Sequence, residues 1–468
     1  TLPNGKPVVL KADGTVEVVA ETTIAESIPT GSETAFLSAN VAHTVVAFDP
    51  NDSGKFVVVY TTTTPYPYPA YAVVGTVAGT SITFGTAVVF SSVESEWQSI
   101  AFDPNTSGKF VITYRDKSNT DYGTAVVGTI SGTTISFGTK VVFNGGATLW
   151  MELAFDPNTA GKFVVVFKDG GNSNYGKATI GTMSGTTLTF GAEYTFNSGE
   201  TDWMTASFDS YNPDVFVVAY MDRGNSLYGT ACVGTISGTT ISFGAEHVFN
   251  SNNCSNTYIR FDPNTAGKFV VVYKDSSAEA IVGTVSGTSL SFGTKVAFAS
   301  VSAIPTMNFD PNIAGKFVVA YQDNNAYAAA IIGTVSGTTL TFGTAIVINA
   351  GSSQHVMVSV DPLNAGRFIV AYRDYDAGGF GNVRLGQMAA VTTNLTTSNF
   401  VGTSTAAYTN AETATIAIQG GLSTNQTGLT IGSTYYVQGD GTFATTADTI
   451  SVNAGKALST TTLLLKDL

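Results

Sequence analysis

The chain has 468 residues, a net charge of −13 and only 12% charged residues, where soluble proteins usually carry about a quarter. A hydrophobic share of 43% excludes a disordered chain, and two cysteines exclude a disulfide framework. No apolar run reaches the roughly eighteen residues of a membrane helix, so no membrane insertion is expected, and the acidic balance argues against nucleic acid as a partner, because phosphate binding relies on clustered Lys and Arg.

The first residues, Thr1-Leu2-Pro3-Asn4-Gly5-Lys6, contain neither a basic nor an apolar leader region, so no signal peptide is expected; a start without Met reads as processed or trimmed. An Asp13-Gly14 pair inside Val8 to Val16 predicts a short hairpin. Then one phrase takes over, F-D-P-N-x-x-G-K-F-V-V-V-Y, starting at Phe48, Phe102, Phe155, Phe208, Phe261, Phe309 and Val360. A second phrase, V-G-T-I-S-G-T-T-I-S-F-G-T-K-V-V-F, follows the first six copies. Turn residues such as Asp103-Pro104-Asn105 alternate with β-branched and aromatic runs such as Phe110-Val111-Ile112-Thr113-Tyr114, which predicts four antiparallel strands per copy. Radial repetition of such sheets is a seven-bladed β-propeller. The last copy lacks an outer strand after residues 383–390, and Gly31-Ser32-Glu33-Thr34-Ala35-Phe36 matches the outer-strand phrase of the other copies. That N-terminal piece is therefore expected to complete the last blade and remove its exposed edge.

From about Thr392 the repeats stop, and short strands are predicted at 413–418, 434–438 and 463–466. The expected organisation is an all-β chain: residues 1–27 as a hairpin packing with a small C-terminal β stalk module, 28–391 as the propeller, and 392–468 as that module, serving anchoring or oligomerisation. Cys232 and Cys254 read as free thiols.

The repeat phrases around Tyr114-Arg115-Asp116 and Val127-Gly128-Thr129-Ile130-Ser131-Gly132, and the ending Gly428 to Gln438 with Ala454 to Lys466, resemble virion structural and tail-fibre proteins of tailed phages of the marine type. The resemblance implies a non-enzymatic fibre, spike or decoration component on the virion surface. It would contact other virion proteins through the terminal module, display its propeller to a host receptor or glycan, and form a homo-oligomer. The alternatives are a secreted carbohydrate-active or lectin-like propeller and a bacterial surface adhesin.

No catalytic set emerges. The three histidines lack metalloprotease spacing, no G-x-S-x-G elbow occurs, and the cysteines lack metal-ligand spacing. No cofactor and no metal are expected. The Asp of F-D-P recurs in every copy and reads as a turn cap. Five residues ahead of that phrase lies a more informative position, occupied by His43, Trp97, Trp150, Trp203, Asn256, Ile304 and His355. If the first strand of each blade is innermost, this ring sits at the mouth of the central channel. Packing between blades is its first reading, and ligand stacking, above all on sugars, its second. The loops Asp116 to Asn119, Asp169 to Asn172 and Asp222 to Asn225 share that face; they read first as turns and second as oxygen donors to a hard cation such as calcium, for which two oxygens per loop are too few, and with Glu94, Glu96, Glu200 and Asp202 they make the polar, acidic side on which a bound ligand is expected. The irregular copy Phe208-Asp209-Ser210-Tyr211-Asn212-Pro213-Asp214 predicts a differently built turn.

Overall fold

A computed structural model describes residues 1–418, 420–448 and 450–466, with the backbone alone at 301–304. The chain is all-β and divides into two units, residues 26–388 and residues 1–25 with 389–468. In the larger unit every repeat folds as four antiparallel strands. Blade 2 is representative: Ser95–Phe102 pairs with Lys109–Asp116, then Tyr122–Ser131, and the outer position is shared by Thr134–Phe137 and the start of Val141–Phe155. The second strands, from Lys55–Thr62 to Arg367–Asp374, are buried on both faces, because each sheet is covered by its neighbours. Their unbroken β-branched and aromatic runs follow from that burial.

Two glycines explain why the second phrase is so constant. A Cβ on Gly128 would lie 2.0 Å from the Phe110 ring, so the Phe of each F-V-V run packs flat on a glycine of its own blade. A Cβ on Gly138 would lie 2.2 Å from the Thr186 carbonyl oxygen, so the outer strand of one blade accepts the turn of the next at backbone distance.

The Asp of F-D-P does more than cap its turn. In all seven copies one carboxylate oxygen accepts the N–H two residues on, as at Asp49 with Asn51 and Asp103 with Asn105. In five copies the other oxygen accepts the turn glycine N–H of the following blade: Gly108 to Asp49 at 3.0 Å, Gly161 to Asp103 at 3.0 Å, Gly267 to Asp209 at 2.9 Å, Gly366 to Asp310 at 2.5 Å and Gly54 to Asp361 at 3.1 Å. The last of these joins blade 7 to blade 1. Burial raises the carboxyl pKa of Asp49 and Asp310, an effect their backbone donors oppose.

Closure is also made by a strand. Ser27–Phe48 is continuous, and its first part pairs with Phe380–Gln387 through Val383↔Thr34, Asn382↔Ala35 and Gly381↔Leu37. Its second part pairs with Lys55–Thr62 as the inner strand of blade 1. Phe36, Val383 and Leu385 share one apolar cluster with Tyr60 and Val73, so the ring is sealed by core packing as well as by backbone bonds. The N-terminal piece therefore supplies the missing outer strand.

In the smaller unit Pro7–Leu10 pairs with Val16–Val18 across the Asp13-Gly14 turn and with Phe400–Ser404. A second sheet contains Thr434–Val437, Val452–Ala457 and Leu463–Leu465. The strand expected at 413–418 shortens to Ile416–Ala417. Val9, Leu395, Phe400, Tyr435, Val437 and Leu463 form its core.

Candidate functional site

Six inner strands slip register at one corresponding point: between Ala42 and Val45, Leu149 and Glu152, Asp202 and Thr205, Ser255 and Tyr258, and Gln354 and Met357 in blades 1, 3, 4, 5 and 7, and opposite Thr113 to Arg115 in blade 2. The inserted residue is the ring residue. His43, Trp97, Trp150, Trp203, Asn256 and His355 all have left-handed backbone, with φ between 47° and 54°. The side chain of Ile304 lies outside the described residues. A bulge of this kind ordinarily favours glycine at its left-handed position, and a non-glycine residue there costs roughly 1–2 kcal/mol. Six such residues at one repeat position make the channel mouth a strained feature of the propeller, a pattern that points to function.

The bulge turns the ring side chains toward the channel and buries the residue that follows, Thr44, Gln98 or Met204 among them. Trp97 and Trp150 have centroids 3.8 Å apart, as have Trp150 and Trp203; His43 lies 6.3 Å from Trp97 and 5.6 Å from His355. A continuous aromatic arc thus spans blades 7, 1, 2, 3 and 4. It borders a cavity of about 410 Å³ lined by His43, Trp97, Trp203, His355 and Met357, with Thr44, Gln98, Gln322 and Gln354 as its polar groups. Trp97 Nε1, Gln98 Oε1 and Thr44 Oγ1 have no hydrogen-bond partner, although Gln98 Nε2 donates to Thr61 Oγ1 at 2.6 Å. Burial holds both imidazoles below their ordinary pKa, that of His355 at about 4 with the charges of His43 and Arg373 assisting. Both are neutral at pH 7.

Beyond this cavity the channel is crossed by an ion pair, Glu152 to Arg260 at 2.9 Å, with Arg260 also donating to Tyr258 Oη. A second cavity of about 380 Å³ follows toward the Pro50, Pro263, Pro311 and Pro362 end. Burial pushes the Glu152 carboxyl up, and Arg260 partly offsets it.

The loop candidates divide between backbone and solvent. Asp116, Asp169 and Asp222 are buried turn caps that accept the N–H groups of Ser118, Gly171 and Asn225. Asn119 is half-buried and Asn172 and Asn225 are exposed, none of them in the cavity wall. The acidic side of the mouth is charge-compensated: Glu96 pairs with Arg115 at 3.0 Å and Lys117 at 3.3 Å, and Glu200 and Asp202 pair with Lys168 at 3.0 and 2.7 Å. Among the described residues no cluster of three His, Cys, Asp or Glu is arranged to hold a metal ion, and no helix is long and apolar enough to cross a membrane. Cys232 and Cys254 are free and buried, and burial raises both thiol pKa values. In the irregular fourth copy Asp214 takes the left-handed place of the turn glycine and pairs with Lys162 of blade 3.

Sequence reasoning missed Gln98, Gln322 and Gln354 as wall residues. Gln322 follows the repeated Tyr of the second strand, where the other blades carry Thr61, Arg115, Lys168, Met221, Lys274 and Arg373.

No protein-family model and no curated protein matches the chain. Solved structures do. Sqt1 from Chaetomium thermophilum, bound to the N-terminus of the ribosomal protein L10, is 9% identical with a TM-score of 0.49, covering 76% of this chain and 90% of that one. Sqt1 from Saccharomyces cerevisiae is 9% identical with a TM-score of 0.47, covering 78% of this chain and 100% of that one. At this identity the likeness concerns the fold alone. The expectation of a virion structural protein, with tail-fibre role, host attachment and virion or host-glycan partners, is corrected here: the solved structures similar to this chain include Sqt1 proteins, one of them bound to a ribosomal protein. The geometry adds a physical reason against sugar stacking. The indoles lie against one another, with Trp150 between Trp97 and Trp203, and their faces are not laid open as flat platforms.

Proposed function

We propose that the chain is a non-catalytic binding protein whose propeller takes up a segment of another polypeptide at the aromatic mouth of its central channel. The observation that carries this reading is the cavity of about 410 Å³ walled by His43, Trp97, Trp203, His355 and Met357, five residues from four blades. Its volume falls in the range of ligand pockets, and its mostly apolar wall with a few placed polar groups is the usual composition of such sites. Gln354 is exposed in the cavity wall, and its amide offers both donor and acceptor, which suits a peptide unit entering with an apolar side chain. Non-catalytic binding is supported by the surrounding carboxylates, since Glu96, Glu200 and Asp202 are each held in ion pairs.

The test is a peptide array probed with the purified chain and with Trp97→Ala and Trp203→Ala variants whose folding is checked by circular dichroism. Peptides with an apolar or aromatic residue are expected to bind the parent chain, and both variants to lose about tenfold or more in affinity. Peptide binding that both folded variants retain in full would place the contact elsewhere.

A further inference from the structure

His43 and His355 occupy adjacent ring positions in blades 1 and 7. Their centroids are 5.6 Å apart, both have left-handed backbone, and both line the mouth cavity. The third histidine, His247, lies on the outer strand His247–Asn250 and accepts the Leu290 N–H. The pair is not placed to receive protons cheaply. Arg373 acts on both imidazoles; its guanidinium lies 4.0 Å from the Tyr375 ring and donates to Asn40 Oδ1. Lys117 adds a second positive charge on the His43 side, where Glu96 is the facing carboxylate, already held by Arg115 and Lys117. Next to Arg373, Asp374 is committed to the N–H groups of Asp376 and Ala377. Gln354, His355's neighbour in the wall, is uncharged.

We propose that this mouth is acid-gated: it accepts an uncharged apolar group at neutral pH and rejects it once His43 and His355 become imidazolium, when an anionic group is preferred instead. The proposal rests on the binding reading above. Two new charges in an apolar wall, beside a guanidinium and with the nearest carboxylate engaged, raise the cost of desolvating that wall around a neutral guest and attract a negative one. The depressed pKa values of both histidines, which follow from burial first, place the change below the ordinary imidazole range.

All three tryptophans of the chain stand in the ring, so energy transfer from tryptophan to a bound fluorophore reports on this mouth. The experiment uses the full chain with N-phenyl-1-naphthylamine, which is uncharged, and with 8-anilinonaphthalene-1-sulfonate, which carries a sulfonate on the same ring framework. Near-ultraviolet circular dichroism verifies native packing at each pH. From about pH 7.5 to about pH 4, affinity for the uncharged probe is expected to fall about tenfold or more while that for the sulfonate rises. In the H43N/H355N double variant both profiles flatten. Asparagine is the residue the repeat itself places at this left-handed position in blade 5, as Asn256, so the variant respects the backbone. If neither probe receives energy from tryptophan at neutral pH, the binding reading fails. If the uncharged probe binds but its affinity does not change with pH in the folded parent chain, or the double variant follows the parent, acid gating fails and the binding reading stands.

Discussion

Asp361 and Asp156 hold the same place in their repeats, yet the structure gives them different work, and replacing each by alanine separates the two roles. Asp361 is fully buried and closes the ring: it accepts the Gly54 N–H of blade 1 at 3.1 Å, the Leu363 N–H at 3.0 Å, Asn364 Nδ2 at 3.1 Å and two guanidinium nitrogens of Arg367 at 2.9 and 2.6 Å. Alanine there strands two backbone donors and a largely buried cation. Breaking a buried pair from one side costs about 3–5 kcal/mol, so the expected loss is about 4 kcal/mol. Asp156 is equally buried, but the glycine it would meet in blade 4 is Asp214, and its second oxygen has no hydrogen-bond partner, with Lys162 at 3.7 Å. What alanine removes there is chiefly the Asn158 N–H bond of 2.9 Å, about 1 kcal/mol. Urea unfolding followed by tryptophan fluorescence reads the difference, since every indole lies in the propeller ring. Equal losses for Asp361→Ala and Asp156→Ala would refute the reasoning that the added partners of Asp361, the Gly54 N–H of blade 1 and the Arg367 guanidinium, and not the turn cap, carry the stability.

The same contrast applies to the outer strand. Gly138→Ala places a Cβ 2.2 Å from the Thr186 carbonyl and is expected to cost about 2–3 kcal/mol in thermal or urea unfolding, while Gly343→Ala, with its nearest atom at 3.8 Å, changes stability by about 0.5 kcal/mol or less. Acid titration of stability has a definite sign. Because His43 and His355 have lowered pKa values in the fold, their contribution is fully present above about pH 6.5 and is lost as the pH falls toward about 4, where His355 titrates. The expected loss is on the order of 3 kcal/mol from His355, and His355→Asn removes that part of the pH dependence. In the channel, Glu152→Gln alone leaves the Arg260 charge without its partner and is expected to destabilise by about 3 kcal/mol or more; replacing both residues by methionine costs less, as a double-mutant cycle in urea will measure.

The repeat made most of the propeller legible. Phe110 to Tyr114 reads as a buried strand because every residue in it is β-branched or aromatic, and the match of Gly31 to Phe36 with later outer strands locates the closure in the sequence itself. The turn-capping role of the F-D-P aspartate was equally readable, since the acceptor and donor lie two residues apart. Its reach from Asp49 to Gly108 was not, because that bond exists only once two blades have packed. The ring of His43, Trp97, Trp150, Trp203 and His355 emerged from aligning the copies, but its left-handed backbone did not: tryptophan is an improbable occupant of that conformation, and nothing local in Glu96-Trp97-Gln98 announces it. The acidic residues beside the ring suggested a charged face that Arg115, Lys117 and Lys168 in fact neutralise across strands. The inferred biological setting went astray for a different reason: surface phrases such as Ser-Gly-Thr-Thr specify turns, and turn chemistry does not name a partner.

The most direct measurement of the central claim is a two-dimensional nitrogen–proton spectrum of the tryptophan indoles, which contains three signals, all from the channel mouth. Titration with an array-selected peptide is expected to move all three, and those of Trp97 and Trp203 most, because these two indoles line the cavity and Trp150 does not. A peptide that binds the chain while leaving all three indole signals in place would contradict the account.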